Sequence, residues 1–166
     1  MKYPRIDCKM QPTIDLTIIK EIKASREQVW QAWTNPDQLK NWWGPAGFTT
    51  TYFALDLRVG GKYLYCIKSP DGNETWSTGS VLEIVEGKKF VITDSFADKE
   101  GNIVSASTYG VVEELPEIMV IDLTLDGDDV KTLITLKHIG VPDTGHKEQM
   151  EQGWNQFLER LANILE

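Results

Sequence analysis

The chain has 166 residues, of which 41% are hydrophobic, so it is long enough for one domain with a sizeable core. Its formal net charge is −8 at pH 7 and its lysines and arginines are scattered, which argues against nucleic acid and anionic membranes as partners. The sequence has neither an apolar leader nor a stretch of about 18 apolar residues, so we expect a cytoplasmic protein without membrane insertion. Cys8 and Cys66 have no metal-ligand spacing, so no metal site is expected. One disulfide between them is the alternative to two free thiols, and we favour the free thiols.

The chain begins with a segment that shows no period. Residues 1–12 are therefore expected to form an N-terminal tail, and residues 13–166 a single domain. Apolar residues alternate with polar ones over 14–22, and this alternation predicts a half-buried strand.

Two short helices are predicted after this strand. Ser25 and Gln28 have the order of a capping box, in which a hydroxyl and an amide each bind a free backbone N–H. The first helix must end before Pro36, because the residue that precedes a proline is disfavoured in the α region. Asn35 can cap the second helix with Pro36 in its first position, and the glycines within 44–47 end it.

The middle of the chain predicts a run of strands. Alternating apolar residues and turn signals place them at 49–57, 62–68, 78–85, 89–96, 118–125 and 131–138. Strands joined by short turns are antiparallel neighbours, because a parallel crossover needs a dozen or more residues. The segment 97–116 has no clean period, and connections of this length are often functional.

The last stretch, 145–165, predicts one long amphipathic helix. Its apolar residues recur at helical spacing: Met150, Trp154, Phe157, Leu158, Leu161, Ile164 and Leu165. Such a helix needs a surface that covers its apolar stripe, and the strands supply one. We therefore predict an α+β helix-grip fold, in which a curved antiparallel sheet of about six to seven strands wraps around the long C-terminal helix.

Several motifs resemble those of a known family. They are Val29-Trp30-Gln31-Ala32-Trp33-Thr34-Asn35-Pro36, Leu39-Lys40-Asn41-Trp42-Trp43-Gly44-Pro45, the Gly60-Gly61 and Pro70-Asp71-Gly72 turns, and Leu136-Lys137-His138-Ile139-Gly140-Val141-Pro142 with Gly153-Trp154. The chain resembles bacterial proteins similar to the C-terminal domain of the activator of the ninety-kilodalton heat-shock-protein ATPase, in the START-like (SRPBCC) superfamily. The resemblance implies a deep cavity between sheet and long helix that binds lipids, sterols, polyketides or other apolar ligands. It implies no shared catalytic residue set.

Large aromatic and aliphatic side chains are the candidates for contact with such a ligand. For any one of them packing in the core is the simpler interpretation, but so many rings around one helix are hard to pack without gaps. Apolar, aromatic concavities are typical of small-molecule sites. The predicted ligand-binding residues are Trp30, Trp33, Trp42, Trp43, Phe48, Phe53, Tyr63, Tyr65, Trp76, Phe90, Tyr109, Ile121, Leu123, Ile134, Leu136, His138, Met150, Trp154, Phe157, Leu158 and Leu161.

Two titratable residues on the strands allow alternatives. His138 ends an apolar strand face and could act as a general base, but no partner has a recognisable spacing to it, so a structural histidine is favoured. Asp94 falls on the side of Phe90 and Phe96, where it is either a buried carboxylate with a raised pKa or a solvated edge charge. We favour the solvated charge.

The leading functional hypothesis is a binding module for a small apolar or amphipathic ligand, with its mouth at the 97–116 segment and the 44–48 turn. Tyr63, Tyr109 or His138 would orient the ligand. An enzyme of cyclase or hydrolase type and a co-chaperone-like interaction protein are the alternatives. The residues before the first strand are too few for the second domain of the eukaryotic activator, which argues against a chaperone partner. No cofactor is expected, and a homodimer is left open.

Overall fold

The structure, a computed structural model, describes residues 13–111, 115–142 and 147–166. The expected tail with Cys8, and the predicted start of the last helix at 145–146, lie outside the described residues. The elements are β1 (Thr13–Ile22), α1 (Arg26–Thr34), α2 (Pro36–Trp42), β2 (Thr49–Leu55), β3 (Lys62–Lys68), β4 (Glu74–Val85), β5 (Lys89–Ala97), β6 (Met119–Gly127), β7 (Thr132–Pro142) and α3 (Lys147–Leu165).

The strands form one antiparallel sheet that holds α3 against its concave face. Within the described residues the sheet has seven strands in the order β1-β7-β6-β5-β4-β3-β2. Strands that follow one another in the chain are neighbours, except that β1 pairs with β7 and the α1–α2 segment connects the two edges. Register shifts in the pairings of β1 with β7, β2 with β3 and β4 with β5 are irregularities of the kind that bend and twist a sheet. The predicted α+β helix-grip fold is confirmed.

The two short helices begin as the sequence predicts. The Ser25 hydroxyl accepts a hydrogen bond from the backbone N–H of Gln28 at 3.1 Å, and the Gln28 side chain accepts one from the Ser25 N–H at 3.0 Å. Asn35 caps α2 by accepting from the N–H of Asp37 at 3.0 Å, with Pro36 in the first turn. These caps satisfy backbone donors that have no partner within the helices.

Four strand ends differ from the prediction by two residues or more. β4 begins at Glu74 rather than residue 78, β7 continues to Pro142 rather than 138, β2 stops at Leu55 rather than 57, and β6 continues to Gly127 rather than 125. The extensions are set by neighbouring strands, since Glu74 pairs with Lys68 across the β3–β4 hairpin and Pro142 pairs with Thr13 of β1. The 97–116 segment contains a short 3₁₀ helix, Ala106–Tyr109, which its sequence pattern did not predict.

The core lies between the concave face of the sheet, α1, α2 and α3. The buried residues of α3 are Trp154, Leu158, Leu161 and Ala162, one stripe of the predicted amphipathic helix. Cys66 is a buried free thiol in β3. Of the helices in the described parts of the chain, none has the length and apolar character needed to cross a membrane.

Candidate functional site

One end of the space between sheet and helix is filled by aromatic rings. The indole of Trp43 is 4% exposed and packs edge-on against six other rings: Trp33, Trp42, Phe53, Tyr65, Trp154 and Phe157. Beside Trp43 and Tyr63 only a gap of about 20 Å³ is left, which is room for about one water molecule. This end of the interior is therefore packed core.

The other end holds a cavity of about 700 Å³. One wall is the connection between β5 and β6, through residues 103–107, 111 and 115–117. The opposite walls are the concave face of the sheet and the start of α3, with the side chains Ser77, Asp94, Phe96, Met119, His138 and Met150. Ile103, Ser105 and Ser107 are exposed, so the cavity is open to solvent along this connection.

The structure separates the predicted ligand-binding residues into three groups. His138 and Met150 line the large cavity. Sixteen pack in or against the core: Trp30, Trp33, Trp42, Trp43, Phe53, Tyr63, Tyr65, Phe90, Ile121, Leu123, Ile134, Leu136, Trp154, Phe157, Leu158 and Leu161. The other three are half-buried elsewhere: Phe48, Trp76 against Tyr52, and Tyr109 against Phe96. Contact of any of these residues with a ligand stays a prediction.

One side of the predicted mouth contributes to the cavity wall. Residues 103–107, 111, 115 and 116 of the 97–116 segment line the cavity, and residues 112–114 lie outside the described ones. That this segment forms the mouth of a ligand site stays a prediction. The 44–48 turn, the other side of the predicted mouth, does not line this cavity. The carbonyls of Trp43, Gly44 and Pro45 instead accept hydrogen bonds from the Arg160 guanidinium of α3, which fixes this turn against the helix.

Asp94 faces the interior. Its Oδ1 accepts a hydrogen bond from the Tyr63 hydroxyl at 3.1 Å, and its side chain is 19% exposed. Burial raises the pKa of Asp94 to about 6, against the opposing effect of the Tyr63 hydrogen bond. The solvated edge charge that we favoured from the sequence is wrong, because Asp94 shares the concave strand face with Phe90, Ile92 and Phe96.

Gly79 of β4 allows Tyr63 to reach Asp94. A Cβ atom at Gly79 would lie 2.5 Å from the Tyr63 ring and would collide with the carbonyl oxygen of Thr93. Without that atom, the single proton of the Tyr63 hydroxyl is shared between the Thr93 carbonyl at 2.7 Å and Oδ1 of Asp94 at 3.1 Å. Burial, then the charge of Asp94, hold the pKa of Tyr63 above its usual value.

His138 faces Asp94 across the floor of the cavity. Its Nδ1 accepts a hydrogen bond from the Trp154 indole N–H at 3.1 Å, so in the neutral ring the proton is on Nε2. Nε2 is 4.0 Å from Oδ2 of Asp94, which is too long for a hydrogen bond. Burial lowers the pKa of His138 to about 4, so at neutral pH the ring is uncharged and the Asp94 carboxyl is ionised.

This arrangement offers a ligand two polar atoms, a histidine N–H donor and a carboxylate acceptor. The rest of the lining consists of serine hydroxyls, the carboxylate of Glu117 and apolar side chains. Within the described residues no three His, Cys, Asp or Glu side chains come together as a metal site. Asp94 was missed as a site residue, and only its strand position among Phe90, Ile92 and Phe96 could have indicated it.

Trp154 is expected to matter for stability through both its ring and its N–H. Trp154→Ala should lower the free energy of unfolding by about 3–5 kcal/mol, because the side chain is 7% exposed and packs on Trp43 and Phe157. Trp154→Phe keeps a ring but leaves Nδ1 of His138 without its donor, at a cost of about 1–3 kcal/mol. Urea unfolding of both variants measures the difference, and a loss below 1 kcal/mol for Trp154→Ala would contradict this packing.

The fold defines a START-like helix-grip protein. Residues 23–166 match the family described as Activator of Hsp90 ATPase homolog 1-like protein. The chain therefore belongs to this family, as the motifs of its sequence indicate. No curated protein matches the chain significantly.

Solved structures of bacterial proteins share the fold. A Nitrosomonas europaea protein has 22% identity and a TM-score of 0.75, over 92% of this chain and 94% of that one. A Chromobacterium violaceum protein has 27% identity and a TM-score of 0.73, over 91% of this chain and 96% of that one. The AHSA1 protein of Silicibacter pomeroyi has 19% identity and a TM-score of 0.72, over 92% and 97%. These similarities concern the fold.

Proposed function

We propose that this protein is a binding module for a small, uncharged amphipathic molecule, held in the cavity between β5, β6, β7, the wall formed by residues 103–107, 111 and 115–117, and the start of α3. The observation that carries the proposal is the cavity itself. Its volume of about 700 Å³ lies in the range of about 300–1,000 Å³ that is typical of small-molecule sites. The neighbouring core is packed to within about 20 Å³, so the space is not a general looseness of the interior.

The chemistry of the walls supports the amphipathic character of the ligand. Phe96, Met119 and Met150 offer apolar surface, whose burial contributes roughly 25 cal/mol per Å². Serine hydroxyls, Asp94 and His138 offer polar partners. The described lining contains the carboxylates of Asp94 and Glu117 and neither lysine nor arginine, which disfavours an anionic ligand.

Nile red, an uncharged dye whose emission rises in apolar surroundings, tests for binding. The wild-type protein is expected to give a saturable rise in emission with about one site per chain. Ser77→Phe places a ring on the concave face at a buried position of the cavity wall, and should weaken dye binding at least about fivefold by occupying its space.

Thr124→Phe is the matched control, because Thr124 is exposed on β6 and away from the cavity. It should leave dye binding unchanged. Absence of saturable binding to the wild-type protein, or equal affinities for Ser77→Phe and the wild type, would contradict the proposed function.

A chaperone interaction is the second candidate, and the family description, which refers to an Hsp90 ATPase activator, favours it. Among the exposed large apolar side chains of the described chain, Ile19 lies on β1, Val59 between β2 and β3, and Val130 between β6 and β7. The cavity is the stronger feature, and for this reason ligand binding is the leading proposal.

A further inference from the structure

The cavity lining contains a buried polar atom that has no hydrogen-bond partner within the described parts of the protein. Nε2 of His138 is one of a few such side-chain atoms among the described residues, and the histidine is only 4% exposed. Leaving a buried donor unpaired costs about 1–3 kcal/mol, so this atom is best explained by a partner that enters the cavity.

The hydrogen bond between Trp154 and His138 determines whether a partner at Nε2 must accept or donate a hydrogen bond. Because Nδ1 accepts from the Trp154 indole N–H, the neutral ring carries its proton on Nε2, and Nε2 can only donate. The partner must therefore present an acceptor. A primary ammonium has no acceptor to offer and is disfavoured at this position.

Asp94 fixes the second requirement. Its Oδ1 is engaged by the Tyr63 hydroxyl, while Oδ2 is directed towards His138 at 4.0 Å from Nε2. An ionised carboxylate only accepts, so the partner must also donate. A carboxylate ligand would face Asp94 with like charge and is disfavoured as well.

Resting on the proposed function, we propose that the ligand of this cavity carries an alcohol hydroxyl. The hydroxyl oxygen accepts a hydrogen bond from Nε2–H of His138, and the hydroxyl O–H donates a hydrogen bond to Oδ2 of Asp94. The separation of these two atoms suits one bridging oxygen. With hydrogen bonds of about 2.8 Å on both sides, the angle at that oxygen is about 90°, which a hydroxyl tolerates. The hydroxyl thus satisfies both protein atoms at once.

Three probes of equal chain length separate this proposal from simple apolar binding: 1-octanol, its methyl ether and octanoate. Their affinities are measured at pH 8 by isothermal titration calorimetry and by competition with Nile red. We expect 1-octanol to bind at least about tenfold more tightly than the ether, which can accept from His138 but cannot donate to Asp94. Apolar burial alone would favour the ether, because the ether has one more methyl group. Octanoate should bind most weakly.

Two variants assign the preference to the two side chains. Asp94→Asn removes the charge, so octanoate should gain at least about tenfold and the preference for the alcohol over the ether should fall to about twofold or less. His138→Asn keeps an acceptor in place of Nδ1 for Trp154, but its side chain is shorter and its amide N–H does not reach the position of Nε2. We therefore expect 1-octanol to bind at least about fivefold more weakly.

Asp126→Asn and Lys137→Asn are the matched controls, since both side chains are exposed, and they should leave all three affinities unchanged. If none of the probes nor Nile red binds the wild-type protein, the proposed function itself fails. If the probes bind but 1-octanol and its ether have equal affinities, the hydroxyl proposal is overturned and ligand binding stands. That comparison uses the wild-type protein, so it decides the point even if a variant does not fold.

Discussion

Replacing Trp43 with alanine is expected to lower the free energy of unfolding by about 3–5 kcal/mol, one of the largest effects of a single substitution in this chain. Trp43 follows α2 and is 4% exposed. Its ring contacts rings from α1, α2, β2, β3 and α3, with centroid separations from 5.0 Å to Phe157 up to 6.0 Å to Phe53. Truncation of Trp43 would leave a cavity, and the surrounding helices and strands are too rigid to shift and fill it.

Trp76 provides the control for this measurement. It is half-buried and its ring contact is with Tyr52, at 5.6 Å, so Trp76→Ala should cost about 1 kcal/mol. Both variants are compared with the wild type by urea or guanidinium unfolding, followed by far-ultraviolet circular dichroism. If Trp43→Ala and Trp76→Ala lower the free energy of unfolding equally, the ring contacts of Trp43 do not make a special contribution to the stability of the aromatic core.

The fold followed from the sequence because its main signals are local. The stripe from Met150 to Leu165 predicted α3, and the capping residues Ser25 and Asn35 predicted the starts of α1 and α2. The ends of β4 and β7 could not be predicted in the same way. Residues 74–77 become strand because β3 pairs with them, and residues 139–142 because β1 pairs with them. Such pairing is a tertiary interaction, and the alternation of apolar and polar residues within one strand does not predict it.

The site was harder to predict because composition does not determine where space remains. Many rings around one helix indicated gaps between them, yet rings that meet edge-on, as those of Trp33, Trp42 and Trp43 do, fill the space. The cavity lies instead where the connection after β5 approaches β7 and α3. The connection after β5, strand β7 and helix α3 are distant in the chain, and no sequence pattern indicates that they come together. His138 and Met150 were predicted for the site, whereas Asp94 was assigned to solvent.

The buried Asp94 and His138 should affect the pH dependence of stability in opposite directions. The Asp94 pKa is about 6 in the folded protein against an ordinary value of 3.8, because burial disfavours the carboxylate. Between these values the folded state holds the proton that the unfolded state has released, so this carboxyl lowers stability as pH rises. The His138 pKa is about 4 against an ordinary value of 6.5, again because of burial. The unfolded state then binds the extra proton, so the histidine raises stability as pH rises from 4 to 6.5.

Each contribution is about 3 kcal/mol, so the two nearly cancel in the wild-type protein and single variants should reveal them. Relative to wild type, Asp94→Asn is expected to gain about 3 kcal/mol of unfolding free energy between pH 4 and 6.5, and His138→Asn to lose about as much. Urea unfolding at half-unit steps of pH measures both difference curves, from which exposed groups such as Asp98 and Asp128 cancel. Tyr63, the hydroxyl partner of Asp94, has its pKa held above its ordinary value by burial, so it keeps its proton throughout. Difference curves that are flat, or that slope in the same direction, would show that burial does not shift the pKa values of these two groups in opposite directions.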